Sequence, residues 1–151
     1  MKKLSLNSNL LKTFLFLSVI VFIPGSCEVA DDLTGNKAVD EILGEWSVDE
    51  QSEIFGKSTL KSTLDNYNVT ISADPDRTNG VIIDNFYNVG ISVHATVSGN
   101  SITIPNQNAQ DGYSVYGSGT VSGNSNEINM DYVVNDGSAQ DDHCTAVYSK
   151  I

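Results

Sequence analysis

The side chains that could do covalent, metal or redox chemistry in this 151-residue chain are two cysteines and two histidines. Cys27 is one cysteine, and Cys144 lies in an alternating stretch that predicts a strand. A zinc site needs three or four converging ligands. His143 and Cys144 are neighbours on that strand and so point to opposite faces, and His94 lies on the polar side of another strand. We therefore predict no metal site and no cofactor.

The 19 acidic residues are the other candidates for chemistry. Most lie in predicted turns and tails, as is typical of a solvated surface; these are Asp31-Asp32, Asp40-Glu41, Asp49-Glu50, Asp74 with Asp76, and Asp141-Asp142. Glycoside hydrolysis needs two converging carboxylates, but Asp84 and Asp131, which lie within apolar strands, are expected to face water. Two histidines give a Ser-His-Asp arrangement few ways to form. We predict no catalytic residues and no enzyme activity.

Alternation of apolar and polar residues, which predicts β-strands, continues through most of the chain after residue 44. The clearest stretch is 80–105, where short turns such as Ser98-Gly99-Asn100 separate three strands. Predicted strands lie near 46–51, 55–61, 67–73, 80–87, 91–98, 101–105, 113–122, 127–134 and 142–149. The hexapeptide Thr-Val-Ser-Gly-Asn-Ser at 96–101 recurs at 120–125, which predicts one hairpin used twice.

Many short antiparallel strands must protect their edges, and closing the sheet removes the edges. We therefore predict an all-β fold, a single antiparallel up-and-down barrel of about eight strands, with a two-sheet β-sandwich as the alternative. Cys144 is predicted to be a small buried hydrophobe. The residues expected to face the interior are Trp46, Val48, Val69, Ile71, Ile83, Val93, Ala95, Val97, Ile102, Ile104, Val115, Val121, Ile128, Met130, Tyr132, Cys144, Ala146 and Tyr148.

Residues 1–26 have the pattern of a targeting segment: Lys2 and Lys3 precede an apolar run at 14–23 that is too short to span a membrane. Gly25-Ser26-Cys27 resembles the lipobox of bacterial lipoproteins, in which the cysteine is diacylated and the chain is cut before it. Pro24 departs from the aliphatic residue that is usual there. The resemblance implies a membrane anchor through lipid on Cys27. The alternative is an ordinary cleaved signal that leaves Cys27 as a free thiol.

The expected organisation is a lipoprotein signal peptide at 1–26, a lipidated tether with a short helical turn at 27–43, and a barrel at 44–151. The acidic segment 28–32 resembles the signal that sends Bacteroidota lipoproteins to the outer face of the outer membrane, so we expect a lipid-anchored protein exposed at the cell surface. Residues 1–26 contain three lysines and no acid, so their removal takes the formal charge from −11 to −14. Such a charge argues against a nucleic-acid partner.

Gly44-Glu45-Trp46 stands just before the strands and resembles the Gly-x-Trp signature of lipocalins. The resemblance implies that Trp46 plugs one end of a barrel and that Lys150 lies across it. The chain is similar to small lipocalin-like lipoproteins of Bacteroidota over nearly all of its length after residue 26. Besides Cys27 and Gly44-Glu45-Trp46, the similarity rests on the segments 69–72, 82–86, 97–105 and 144–150. The family implies a fold and a location but no activity.

Two functions remain open from the sequence. One is a binding module that holds a small apolar or glycan-type ligand, which predicts a cavity of some hundreds of Å³ behind Trp46. The alternative is a non-catalytic accessory subunit of an envelope or nutrient-uptake complex, which predicts an exposed, uncharged patch rich in tyrosine. Tyr113 and Tyr116 lie on opposite faces of one strand, so one of them must lie outside the barrel or at its rim.

Overall fold

The computed structural model describes residues 36–53 and 66–151. Here the chain forms a closed barrel in which each strand pairs with the next and the last pairs with the first. A short helix, α1 (Lys37–Asp40), precedes the strands β1 (Gly44–Ser52), β2 (Tyr67–Ala73), β3 (Gly80–Phe86), β4 (Ile91–Ser98), β5 (Ser101–Asn108), β6 (Ser114–Val121), β7 (Glu127–Asn135) and β8 (Asp142–Lys150). The predicted lipocalin-like, eight-stranded up-and-down barrel is confirmed, and the sandwich alternative is wrong. The strand predicted at 55–61 lies outside the described residues.

Closure depends on β1, which pairs antiparallel with both β2 and β8. Trp46 is opposite Val69 on one side and Lys150 on the other. Because successive side chains of a strand point to opposite faces, one set of residues fills the interior and the other meets water. Every residue predicted to face the interior is buried.

The two ends of the barrel differ in their connections and in the polarity of their interior residues. Helix α1 and the β2–β3, β4–β5 and β6–β7 connections lie at the end that Trp46 occupies, which we term the Trp46 end. The β3–β4, β5–β6 and β7–β8 connections lie at the opposite end, which we term the Glu50 end because β1 carries Glu50 and Ser52 toward it.

The wall of the barrel is weakest between β4 and β5, which pair only from Thr96–Thr103 to Ser98–Ser101. Beyond this point β5 shifts its register against β6 between Ile104 and Gln107. The predicted end of the strand at Pro105 is wrong, because β5 continues past it to Asn108. Proline has no N–H to donate, and the irregularity accommodates it.

Side chains replace the missing backbone bonds along β4. The Gln107 amide accepts from the His94 N–H at 3.0 Å and donates to the His94 carbonyl at 2.6 Å. Gln110 accepts from the Ser92 N–H at 2.8 Å. These β4 backbone groups are therefore satisfied although β5 does not pair with β4 at these two residues.

The repeated hexapeptide forms two different turns, although both copies join consecutive antiparallel strands. In the first copy Ser98 pairs with Ser101 across a two-residue turn, and Ile102 follows at once as a core residue. In the second copy the next aliphatic residue is Ile128, three positions after Ser125. The chain therefore needs a longer connection before β7 can bury its first side chain.

Candidate functional site

The Trp46 end contains the three residues singled out as a structural signature. The Trp46 indole N–H donates to the Ile42 carbonyl at 2.9 Å, and its side chain is fully buried. Lys150 Nζ lies 5.4 Å from the centroid of the Trp46 ring and donates to the Glu41 carbonyl at 2.6 Å. Gly44 has a φ of +124°, a backbone conformation that side chains strongly disfavour. Together these contacts hold α1 against the end of the barrel.

The Glu50 end contains a buried carboxylate with few compensating contacts. Glu50 lies inside the barrel with 2% of its surface exposed. Its Oε2 atom accepts hydrogen bonds from the Tyr67 hydroxyl at 2.6 Å and from the Tyr132 hydroxyl. Its Oε1 atom and the buried hydroxyl of Tyr148 have no hydrogen-bond partner within residues 36–53 and 66–151. A buried polar atom without a partner costs about 1–3 kcal/mol of stability. Two such atoms therefore show that hydrogen bonding among the described residues at this end is incomplete.

Burial also changes the proton affinity of this group. It raises the pKa of Glu50 from 4.5 to about 7; the hydrogen bond from Tyr67 opposes this rise, and the negative charge of Asp142 adds to it. Burial likewise raises the pKa values of Tyr67 and Tyr148, and the Glu50 carboxylate adds to both shifts. The tyrosines therefore remain neutral hydrogen-bonding groups, whereas Glu50 changes its charge near neutral pH.

A second polar group lies nearer the rim of the same end. The Asp142 Oδ2 atom accepts from the Ser52 hydroxyl and from the Tyr87 hydroxyl, each at 2.5 Å. Tyr87 adopts a left-handed backbone with a φ of 58°, which costs a non-glycine residue about 1 kcal/mol. The turn after β3 thus bends so that an aromatic side chain reaches the barrel rim and meets an acid there.

The expectation that the paired acids form a solvated surface is wrong for three residues: Glu50, Asp74 and Asp142 are all buried. Glu50 and Asp142 face the interior because each extends the alternation of apolar residues on its strand, β1 or β8, by one further step. Continuing the series from Trp46 and Val48 to positions 50 and 52 would have revealed this polar cluster. Proximity along the chain, by which Asp49-Glu50 and Asp141-Asp142 look like exposed pairs, does not show which strand face each acid occupies.

Asp74 has a structural role at the other end. Its side chain accepts from the backbone N–H of Asp76 at 3.0 Å, lies 2.9 Å from His94 Nδ1, and pairs with Arg77 at 3.7 Å. The Asp76 N–H, followed by the His94 contact, holds the pKa of Asp74 below its usual value. His94 thus lies beside a carboxylate in the turn after β2, away from the Glu50 cluster.

The remaining candidate residues are placed as follows. Cys144 is buried, and burial, together with the charge of Glu50, raises the pKa of its thiol, which disfavours the reactive thiolate. His143 is exposed on the opposite face of β8. Asp131 is exposed, and half-buried Asp84 accepts from the Ser92 hydroxyl at 2.6 Å. Cys27 lies outside the described residues.

A groove of about 530 Å³ crosses the outer wall at β1, β6, β7 and β8. Tyr116, 44% exposed, contributes to it, and Tyr113 packs against the core, so the two tyrosines do lie on different sides of the wall. Glu53, Asp131 and His143 also line the groove. It is therefore not the uncharged patch that an accessory subunit predicts.

Fold and site together define a class of protein: an up-and-down β-barrel whose interior is aliphatic along most of its length and acidic, with several tyrosines, at one end. Within residues 36–53 and 66–151 no helix has the length and hydrophobicity needed to cross a membrane. The chain matches no protein-family model and no curated protein.

Proposed function

We propose that this chain is a non-catalytic, lipid-anchored envelope protein whose barrel binds a small ligand inside its Glu50 end. One observation carries the proposal: Glu50 Oε1 and the Tyr148 hydroxyl are buried in the barrel without hydrogen-bond partners. Evolved interiors rarely keep such atoms, because each loses its hydrogen bonds to water on folding. A ligand that bonds to them would restore what burial removes.

Binding is favoured over catalysis by what surrounds Glu50. The Cys144 thiol nearby is disfavoured as a nucleophile because its pKa is raised. The histidines of the described ranges lie elsewhere: His94 contacts Asp74, and His143 is exposed on the outer wall. Anchoring is supported by the lipobox-like Gly25-Ser26-Cys27, and an outer-membrane location by the acidic residues that follow it.

Native mass spectrometry of the mature protein, purified from the cell envelope in mild detergent, tests this function. We expect a small molecule to accompany the wild-type protein and to be lost from the Glu50→Gln variant, while the Asp49→Asn variant retains it. Asp49 is exposed on the same strand, so this control removes an equal charge from the outer wall. A wild-type protein with no bound small molecule would contradict the proposal.

The second candidate is an accessory subunit that contacts a partner through the outer-wall groove. The exposed Tyr116, which lines this groove, favours it, since aromatic residues are enriched in protein interfaces, although the groove is not the uncharged patch expected from the sequence. A photo-crosslinking residue at position 116 should then capture one defined envelope protein, and the same residue at position 120, which is also exposed on β6, should not. Equal labelling from both positions would argue against a specific partner.

A further inference from the structure

We infer that the interior site selects a small organic cation, a protonated amine, whose N–H groups donate to Glu50 Oε1. This inference rests on the proposed function, because it names the chemistry of the ligand that the barrel would hold. It rests on the hydrogen bonds, charges and aromatic side chains around Glu50.

The hydrogen bonds indicate which groups the ligand must carry. Oε2 already accepts from Tyr67 and Tyr132, whereas Oε1 has no donor within the described residues. The ionised carboxylate accepts and does not donate, so a ligand that binds this form must supply a donor at Oε1. Tyr148 can either donate or accept through its hydroxyl, which tolerates a second polar group on the ligand.

The charges indicate which donor fits best. Across residues 36–53 and 66–151 no lysine, arginine or histidine is buried, so the described chain supplies no cation to an ionised Glu50. A buried carboxylate without a cation is costly. A neutral donor would satisfy Oε1 but would leave the negative charge of Glu50 uncompensated. An anionic ligand would be repelled by that charge. The strongly negative protein also attracts cations from a distance.

The aromatic side chains suit the same ligand. Tyr67 and Tyr132 reach Glu50 directly, and Phe86 packs against Tyr132 with ring centroids 4.6 Å apart and ring planes inclined by 54°. Ring faces attract cations, most strongly where water is excluded. A protonated amine thus finds a carboxylate and aromatic rings in the same part of the barrel.

Binding of an amine is coupled to the release of a proton from Glu50. The titratable groups that face Glu50 are Tyr67 from β2, Tyr87 from the turn after β3, Tyr132 from β7, and Asp142, Cys144 and Tyr148 from β8. Only the ionised form of Glu50 pairs with a cation, and its pKa is about 7 without ligand. Amine binding should therefore strengthen as the pH rises from 6 to 8 and release a proton from Glu50.

The test compares three probes of similar size with the mature protein purified from the envelope: propylammonium, 1-propanol and propionate. Dissociation constants come from the shifts of backbone amide resonances in NMR titrations at pH 8. We expect propylammonium to bind at least tenfold more tightly than either other probe. Because a hydrogen bond to a charged group is involved, Glu50→Gln should weaken amine binding about ten- to hundredfold, and Asp49→Asn should leave it unchanged.

Tyr148→Phe keeps the ring and removes one hydroxyl, so it serves as a second variant if Glu50→Gln does not fold; it should weaken amine binding about two- to tenfold. The preference among the probes in the wild-type protein needs no variant at all. If propanol or propionate binds as tightly as the amine, the inference of a cationic ligand is overturned, whereas the proposal that the barrel binds a small ligand stands. If no probe shifts the interior resonances and no small molecule co-purifies, both proposals fail.

Discussion

Glu50 is a charged residue in a place where charge is costly, and this makes folding sensitive to pH. Burial raises its pKa from 4.5 to about 7, so the folded protein holds a proton that the unfolded chain releases. The resulting stabilisation is complete below pH 4.5 and is lost as the pH rises through 7. A shift of this size corresponds to about 3 kcal/mol.

The Glu50→Gln variant should remove this dependence, because glutamine has nearly the same shape and no charge. Without ligand, the stability of the variant relative to wild type should increase by about 2–3 kcal/mol between pH 5 and pH 8, because part of the effect is already lost at pH 5. Urea denaturation at the two pH values measures it, with Asp49→Asn as the control that should follow the wild-type profile. Parallel profiles for wild type and Glu50→Gln would show that Glu50 titrates normally.

At the level of single residues, the sequence predicted the apolar interior but not the contacts of the polar cluster. Apolar interior residues such as Val93 and Ile104 were predictable, because alternation requires only that one face be dry. The inward orientation of Glu50 and Asp142 was also contained in the alternation. Their partners were not, because the hydroxyls of Tyr132 and Tyr87 reach them from non-adjacent parts of the chain that only closure of the barrel brings near.

At the scale of the strands, the gap between β4 and β5 depends on one glutamine side chain. Gln107 bonds both the N–H and the carbonyl of His94, where β5 no longer pairs with β4. Gln107→Ala should lower the free energy of unfolding by about 1–2 kcal/mol and speed hydrogen exchange at the His94 amide.

The matched control is Gln51→Ala. Gln51 is exposed on β1, and its side chain has no hydrogen bond with another described residue, so the change should stay within about 0.5 kcal/mol. Urea denaturation and amide exchange followed by NMR measure both effects. Unchanged exchange at His94 would mean that Gln107 does not hold this part of the wall.

The contact between β6 and β7 depends on glycine. A Cβ atom added at Gly117 would lie 2.5 Å from the Asp131 carbonyl oxygen and would also clash with Tyr132, which bonds Glu50. Gly117→Ala should therefore lower the free energy of unfolding by about 1–3 kcal/mol and shift the Tyr132 resonances. At Gly123 the added atom would meet nothing within 4 Å, so Gly123→Ala should be nearly neutral. Equal stability of the two variants would contradict this.

Strand positions were largely readable from the sequence, but pairing details were not. Pro105 suggested a strand end, although the register shift let β5 continue to Asn108. The two copies of the hexapeptide suggested identical hairpins, yet the position of the next core residue decides the length of each turn. In both cases the requirement to close the barrel overrode the local pattern.

At the scale of the whole molecule, the barrel and its anchor are separate predictions that rest on different residues. Closure follows from eight strands that pair in sequence order, and it was predictable because an open sheet of this length would expose its edges. The proposed anchor depends on Cys27 alone. Each buried CH₂ of an acyl chain contributes about 0.8 kcal/mol to membrane binding, so several chains on one cysteine would hold even a strongly acidic domain at a bilayer.

The two cysteines of the chain allow a matched test of the anchor. Radiolabelled palmitate should be incorporated into wild type and into Cys144→Ser, because Cys144 is buried in the barrel. Cys27→Ser should incorporate none, and it should lose the detergent-phase partitioning that lipidation gives the other two proteins. Mass spectrometry of the wild-type protein should find Cys27 as the modified first residue. A mature chain that begins elsewhere, or that carries Cys27 as an unmodified thiol, would mean that the segment is an ordinary cleaved signal and that the barrel is not held by lipid.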